Sequence, residues 1–278
     1  MELTAFAGFL DTVFGWYDRG ILSALHAISC GPLTFLFKFI TLIGEKGIIF
    51  FFLALVLMCY PKTRKMGICL FGAVACGALI TNIILKDWVA RPRPFNYQPY
   101  AQWWMDIGSP AEDGFSFPSG HATAAAAGMV AIRLMKGKKW TVPTIVWVVL
   151  IAIARNYLMA HFPSDVLFGV LFGAASAVIA FYITQFIYSF LHANRRAKWA
   201  QLVLNWSAPD VKGIPSRLGL AGIAADEPDA RSVRTVPDER MNRNKAADRQ
   251  RPENRKDRQP YSRTESKHAA GYKGRHEK

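Results

Sequence analysis

Cysteine is scarce: Cys30, Cys59, Cys69 and Cys76 are the only four in 278 residues, and no CxxC or Cys/His spacing joins them. That excludes a disulfide framework and a cysteine zinc site. Acidic residues are also few where the chain is apolar. Residues 1–194 hold 9 of the 20 Asp and Glu, against 14 of the 34 Lys and Arg. Only one of these acidic residues, Asp165, falls among the candidate site residues, where a divalent cation would want a cluster of carboxylates, so no metal and no other cofactor is expected. No basic stretch precedes the first apolar run, and Glu2 and Asp11 interrupt it, unlike a cleaved signal peptide. Charge of either sign is thin over residues 1–194 and dense beyond them, where 31 of 84 positions are charged and the net is +9. A soluble domain is roughly a quarter charged throughout. A single water-soluble domain is excluded.

What is present instead is a series of long apolar runs: Ile21–Ile43, Gly47–Tyr60, Met66–Leu85, His121–Met135, Trp140–Met159 and Val166–Leu191. Several approach the ~20 residues that cross a hydrocarbon layer of ~30 Å. The expected fold is all-α, a polytopic membrane bundle of six transmembrane helices. Basic residues cluster at Lys62, Arg64 and Lys65, at Arg133, Lys136, Lys138 and Lys139, and at Arg195, Arg196 and Lys198. With six alternating spans these share one face, which is therefore cytoplasmic together with both termini. Phe6, Leu10, Val13, Phe14 and Tyr17 recur at helical spacing, so residues 1–20 read as an interfacial helix. Trp199, Leu202, Val203 and Trp206 form a similar stripe. Residues 21–194 then form the membrane domain and 195–278 a basic cytoplasmic tail. From about residue 207 the tail has too few apolar residues to offset its ordering entropy and is expected to be disordered. Its charge suits attraction to anionic lipid as well as simple solubilisation. Nucleic acid is not an expected partner, because its 11 acids and lack of interleaved aromatics argue against it.

Ionisable groups at membrane depth are costly and mark function. Three sets fall on the face opposite the basic clusters. Lys86 and Arg93 lie seven apart, two helical turns, with Pro92 and Pro94 ending the helix. Pro118, Ser119, Gly120 and His121 open the fourth run: Ser caps a helix, Gly admits close approach, and a helix N-terminus offers N–H groups to an anion. Arg155, His161 and Asp165 span the last turn, and a carboxylate four residues from a histidine can hold one ring nitrogen and leave the other as nucleophile or base. Together these give two histidines, one carboxylate and three cations, the makings of a phosphate site that works by positioning and charge neutralisation.

Lys86…Arg93-Pro94, Pro118-Ser119-Gly120-His121 and Arg155…His161…Asp165 resemble the tripartite signature of the type-2 phosphatidic acid phosphatase superfamily. One position departs, with Ala154 where the signature has Ser. The resemblance covers roughly residues 20–190. It implies a metal-free mechanism through a phosphohistidine, with His161 as nucleophile, Asp165 orienting it, and His121 protonating the leaving oxygen. It also implies that Lys86, Arg93, Arg155, Ser119 and the Gly120 N–H bind phosphoryl oxygens. Arg91 is left out, its spacing from Lys86 being two short.

The expected substrate is a lipid phosphate or diphosphate met at the extracytoplasmic face. Compact members of the family with this orientation often resemble undecaprenyl diphosphate phosphatases. Phosphatidic acid and phosphatidylglycerol phosphate are the near alternatives, a lipid phosphotransferase a third, and a catalytically silent lipid-binding scaffold a reading of a different class. A haloperoxidase is disfavoured by membrane embedding. Phe95, Tyr97, Tyr100, Trp103, Trp104, Phe115 and Phe117 suit the headgroup level, so residues 95–117 read as an interfacial lid. Lys38, inside the first run, either snorkels outward or meets the substrate.

Overall fold

The computed structural model describes residues 4–205, and among these there are helices, turns and no strand. Trp206 and the tail beyond it lie outside the described residues. Four segments are long and apolar enough to cross a membrane: Gly31–Met58, Arg64–Asn96, Lys138–Tyr157 and Pro163–Ala193. Their outer faces carry exposed side chains such as Phe35, Phe52, Ile83, Val142 and Phe186. Water would not tolerate so continuous an apolar surface, so the chain is a membrane protein.

The first helix, α1 (Ala5–Ala27), does not insert as part of a span. Thr4 at its start bonds the carbonyl of Val89, and His26 near its end sits 3.4 Å from Asp106 and stacks on Trp103. Both partners belong to the same end of the bundle, so α1 lies across that end. It buries Ala7, Leu10 and Leu22 beneath it and leaves Phe9, Val13 and Trp16 exposed, Trp16 to 79 %. An interfacial helix was expected over residues 1–20; the helix continues to Ala27 and takes in the start of the expected first span.

The remainder of that span is α2 (Gly31–Ile43), separated from α1 at residues 28–30. A short 3-10 turn, Glu45–Gly47, leads into α3 (Ile48–Met58). The turn does not reverse the chain. The Cys30 N–H reaches the Tyr157 hydroxyl at one end of the bundle, Gly44 abuts Ile151, Gly47 abuts Ala124, and Phe50 packs on Gly128 nearer the other end. Two of the six expected spans are thus one interrupted crossing of 28 residues. The reason is length: at 1.5 Å per residue, helices of 13 and 11 residues reach about 20 and 17 Å, and neither spans ~30 Å alone. Broken helix at this depth is tolerated where it borders a polar cavity, and Glu45 does so.

The chain returns through α4 (Arg64–Ala78), a π-helical stretch at Leu79–Leu85 and α5 (Lys86–Val89). A connection containing α6 (Tyr100–Ile107) crosses the end of the bundle. There follow α7 (Gly120–Lys136), α8 (Thr141–Tyr157) and α9 (Pro163–Ala193), then α10 (Lys198–Asn205). Arg64 donates to the carbonyls of Val203 and Leu204 and so pins α10 to the far end.

At the centre α7 packs against α4, α8 and α9. The contact with α9 is made by small residues, which let backbones approach in the absence of a hydrophobic drive between helices. A Cβ at Gly173 would stand 2.2 Å from the Thr123 carbonyl oxygen, and one at Gly169 2.7 Å from that of Ser119. Backbone cannot step aside as a flexible side chain can. Gly173→Val is therefore expected to destabilise the bundle by about 1–3 kcal/mol or more, lowering the unfolding temperature in detergent and the yield of folded protein together. Gly15→Ala, whose Cβ meets nothing within 4 Å, should leave both unchanged.

Candidate active site

The end of the bundle crossed by α1 contains a cavity of about 800 Å³. Lys86, Arg93, Gly120, His121, Arg155 and His161 line it, joined by Lys38, Glu45, Asn82 and Glu112. Six of the eight residues expected from the sequence therefore share one cavity. Ser119 and Asp165 are fully buried behind its wall.

Each group arrives by a local device. Lys86 follows the π-helical stretch, and the helix ends at Ala90, which adopts left-handed backbone. Arg93 is therefore not two turns along a helix from Lys86; it reaches the cavity from extended chain. Its guanidinium donates to the carbonyls of Ala160, Gly114 and Asp113 at 3.0 Å each and pairs with Glu112. Ser119 caps α7, its hydroxyl accepting from the Ala122 N–H at 3.5 Å. The Ser119 N–H donates to the Asp165 carbonyl, tying the starts of α7 and α9 together. At Gly120 a Cβ would stand 3.0 Å from the Asn82 amide oxygen, so glycine admits Asn82 to the wall. His121 Nε2 lies 3.9 Å from the Glu45 carboxylate. Arg155 is 1 % exposed, and its Nε has no hydrogen-bond partner among the described residues.

His161 differs from expectation in its partner. Its Nδ1 lies 2.8 Å from the Ser116 carbonyl oxygen, not on Asp165. A carbonyl only accepts, so Nδ1 carries the proton and the neutral ring keeps its lone pair on Nε2. Asp165 acts at one remove: it accepts from the Ser116 hydroxyl at 2.5 Å and from the Phe162 N–H at 2.9 Å. Burial pushes the His161 imidazole well below its usual range, and the charges of Arg155, Arg93, His121 and Lys86 push the same way. The ring is therefore held neutral, the state a nucleophile needs.

Three residues that sequence reasoning missed complete the site. Glu112 bridges Arg93 and Arg155. Burial raises its carboxyl, but those two guanidiniums outweigh it and hold the group below the usual carboxylate range. A carboxylate thus stands between the cations that an incoming phosphate would engage. Ser116 holds His161, and its backbone N–H is fixed by the Arg91 carbonyl at 2.7 Å. Arg91, set aside on spacing, is 1 % exposed and pairs with Asp165 at 2.5 Å. The sequence did carry one signal for Arg91: Asp11 and Asp18, its other partners, lie two helical turns apart on one face. Residues 95–117 are correspondingly less a lid than a wall, with Ser116 and Phe117 buried and Tyr100 packed edge-on against Phe162. Lys38 turns inward to the cavity and donates to the Gly108 carbonyl at 2.6 Å.

Glu112, His121 and His161 each put one ligand atom within 4.8 Å of the others, close enough for a metal ion to bridge. The surroundings do not fit one. Both Glu112 oxygens are committed to arginines, and Lys86, Arg93 and Arg155 line the same space, so a divalent cation would face a net positive field.

Comparison with known proteins agrees with this geometry. Over 118 residues the chain is 31 % identical to an undecaprenyl-diphosphatase of Sulfolobus acidocaldarius, covering 42 % of this chain and 55 % of the relative. The chain thus spans about half the length of that relative. Over 164 residues it is 33 % identical to phosphatidylglycerophosphatase B of Bacillus subtilis, covering 55 % of this chain and 68 % of that one. The crystal structure of Aquifex aeolicus LpxE shares the fold with a TM-score of 0.51 at 21 % identity, over 58 % of this chain and 93 % of the other. The profile of the PAP2 superfamily matches residues 66–189, the stretch that carries Lys86, Arg93, His121, Arg155, His161 and Asp165. On this signature, its shared cavity and these relatives, the chain belongs to the PAP2 superfamily.

Proposed function

We propose that this protein is a metal-independent membrane phosphatase that hydrolyses a lipid phosphate or diphosphate through a phosphohistidine. The observation that carries the reading is the neutral His161, its Nδ1 occupied by the Ser116 carbonyl, in a cavity lined by Lys86, Arg93 and Arg155. Nε2 attacks phosphorus, forming the P–N bond as the P–O bond to the lipid breaks. His121 gives a proton to the departing oxygen. It then takes one from the water that cleaves the P–N bond and releases phosphate, restoring His161. The three cations and the Gly120 N–H neutralise the phosphoryl oxygens. Asp165 supports His161 through Ser116.

Basic clusters lie at the end of the bundle away from the cavity, which makes that end cytoplasmic and the site extracytoplasmic. Five crossings fit the described helices, with α1 on the outer surface. Residue 4 is then on the site's side, unlike the arrangement with both termini inside that six spans would give. The substrate reading is undecaprenyl diphosphate, as for the archaeal relative, with phosphatidylglycerol phosphate as the alternative that the Bacillus relative suggests.

Purified protein in detergent with a chelator is expected to release phosphate from undecaprenyl diphosphate faster than from phosphatidylglycerol phosphate. His161→Ala should stay folded and lose turnover by roughly three orders of magnitude or more. Full activity in that variant, or dependence on added metal, would overturn the mechanism. Because the imidazole is held below its usual ~6.5, kcat/KM should stay level through pH 6.5 and fall only as the ring protonates at lower pH. An acid limb centred above 6.5 would count against a neutral buried nucleophile. Glu112→Gln removes the charge that competes for Arg93 and Arg155. It should tighten inhibition by inorganic phosphate several-fold, by about 1 kcal/mol on the scale of RT; weaker inhibition would show that Glu112 helps to bind the anion.

A further inference from the structure

Behind the nucleophile lies a second charge cluster that the reaction does not touch. Arg91 points away from the cavity and meets three carboxylates. Its Nη1 donates to Asp165 at 2.5 Å and to the Ser164 hydroxyl at 2.8 Å; Nη2 donates to Asp18 at 2.9 Å and to Asp11 at 2.7 Å. The guanidinium also lies over the Phe162 ring, 4.1 Å from its centroid. Asp18 does more than pair with Arg91. One of its oxygens accepts from the Ser164 N–H at 2.8 Å and the other from the Ser164 hydroxyl at 2.7 Å. It is thereby fixed to the first turn of α9, next to Asp165. Asp18 is 1 % exposed, and a carboxylate so buried persists only when fully paired.

The contacts form a continuous chain. Asp18 holds Ser164 and Arg91, Arg91 holds Asp165, Asp165 holds the Ser116 hydroxyl, and the Ser116 carbonyl holds His161 Nδ1. Arg91 closes a loop by accepting from the Ser116 N–H through its own carbonyl. Asp18 belongs to α1, which lies outside the 66–189 stretch matched to the family. That helix also exposes Phe9, Val13 and Trp16 on another side.

We propose that Asp18 is a positioning residue for the reaction, through which the helix lying across the site end sets the orientation of the His161 ring by way of Ser164, Arg91, Asp165 and Ser116. The proposal rests on His161 as the nucleophile. Asp18 touches neither substrate nor the reacting atoms. It acts by fixing the two groups that aim the ring, and small misplacements of a reacting atom are expensive in rate. Asp11, on the same face but partly exposed, has one contact partner and supplies less.

The test is Asp18→Asn in the full-length protein. Asparagine offers one acceptor oxygen where Asp18 offers two, so it cannot accept from both Arg91 and the Ser164 N–H, and the network is broken while the side chain keeps its size. Turnover of the lipid substrate should fall roughly ten- to a hundred-fold, with KM and the inhibition constant for inorganic phosphate within about two-fold of wild type. The cavity that binds the anion is untouched, whereas the ring that attacks is loosened. Arg91→Lys, which keeps the charge, should retain more turnover than Arg91→Ala. Thr12→Ala, exposed on α1, should behave as wild type. Unchanged turnover in Asp18→Asn would overturn the proposal. So would a parallel loss of phosphate binding and thermal stability, the mark of a merely structural role. Wild type and His161→Ala are run together: an inactive wild type removes the phosphatase reading itself, whereas an active wild type matched by Asp18→Asn removes only this one.

Discussion

Positive charge on buried side chains must be answered by negative charge, and this balance organises the site end of the bundle. Lys86, Arg93 and Arg155 line one cavity, and two of them are almost wholly buried. In front of them Glu112 serves as an internal counter-ion. Behind His161 the compensation runs the other way: three carboxylates gather on Arg91, so a negative layer backs the imidazole while a positive layer faces it. A ring between such layers is pulled by one and repelled by the other. It stays neutral because burial and the forward cations together outweigh the carboxylates behind. A phosphate entering the cavity would take the place of Glu112 against the arginines. Exchange of one anion for another costs far less than desolvating bare cations.

The helices supply the rigidity this balance needs. Glycine and alanine at the contact of α7 with α9 bring those backbones together, and the Ser119 N–H bond to the Asp165 carbonyl locks their starts. His121 and Asp165 are thereby fixed relative to each other before any side-chain interaction is counted. Charged groups reach the site from helix ends and the segments that join them. There apolar packing gives way to backbone that can turn, as at Ala90 and Gly114.

Much of the site was legible because its residues violate their surroundings. A lysine, two arginines and two histidines stand out against apolar runs, and together with Gly120 they are the six of the eight expected residues that line one cavity. What could not be read was how far each side chain reaches. Asp165 lies four residues after His161, which suggests direct contact, yet the Ser116 hydroxyl and backbone stand between them. Nothing local marks Ser116 or Glu112, because their partners are distant in sequence. The join between the first two apolar runs was illegible for a different reason. Composition marks the apolar runs but not whether a break such as Glu45–Gly47 turns the chain back or merely kinks it; that depends on what packs at Gly44 and Gly47.

The same reasoning explains why the reaction is easier to read than the lipid. Phosphoryl transfer needs particular groups at particular positions. A polyprenyl or acyl chain needs only apolar helix faces of sufficient length, which every crossing of this bundle offers. Discrimination between lipids therefore falls to polar groups at the cavity margin. Lys38, Glu45 and Asn82 line it beside Lys86, Arg93 and Arg155, and Lys38 and Glu45 share the interrupted span with a run of residues that face hydrocarbon. Lys38 reaches the Gly108 carbonyl and Glu45 lies near His121, so both charged groups are turned to the polar cavity rather than to lipid. On the proposed lipid phosphatase reading, headgroup preference would fall to the margin of the cavity rather than to the apolar faces.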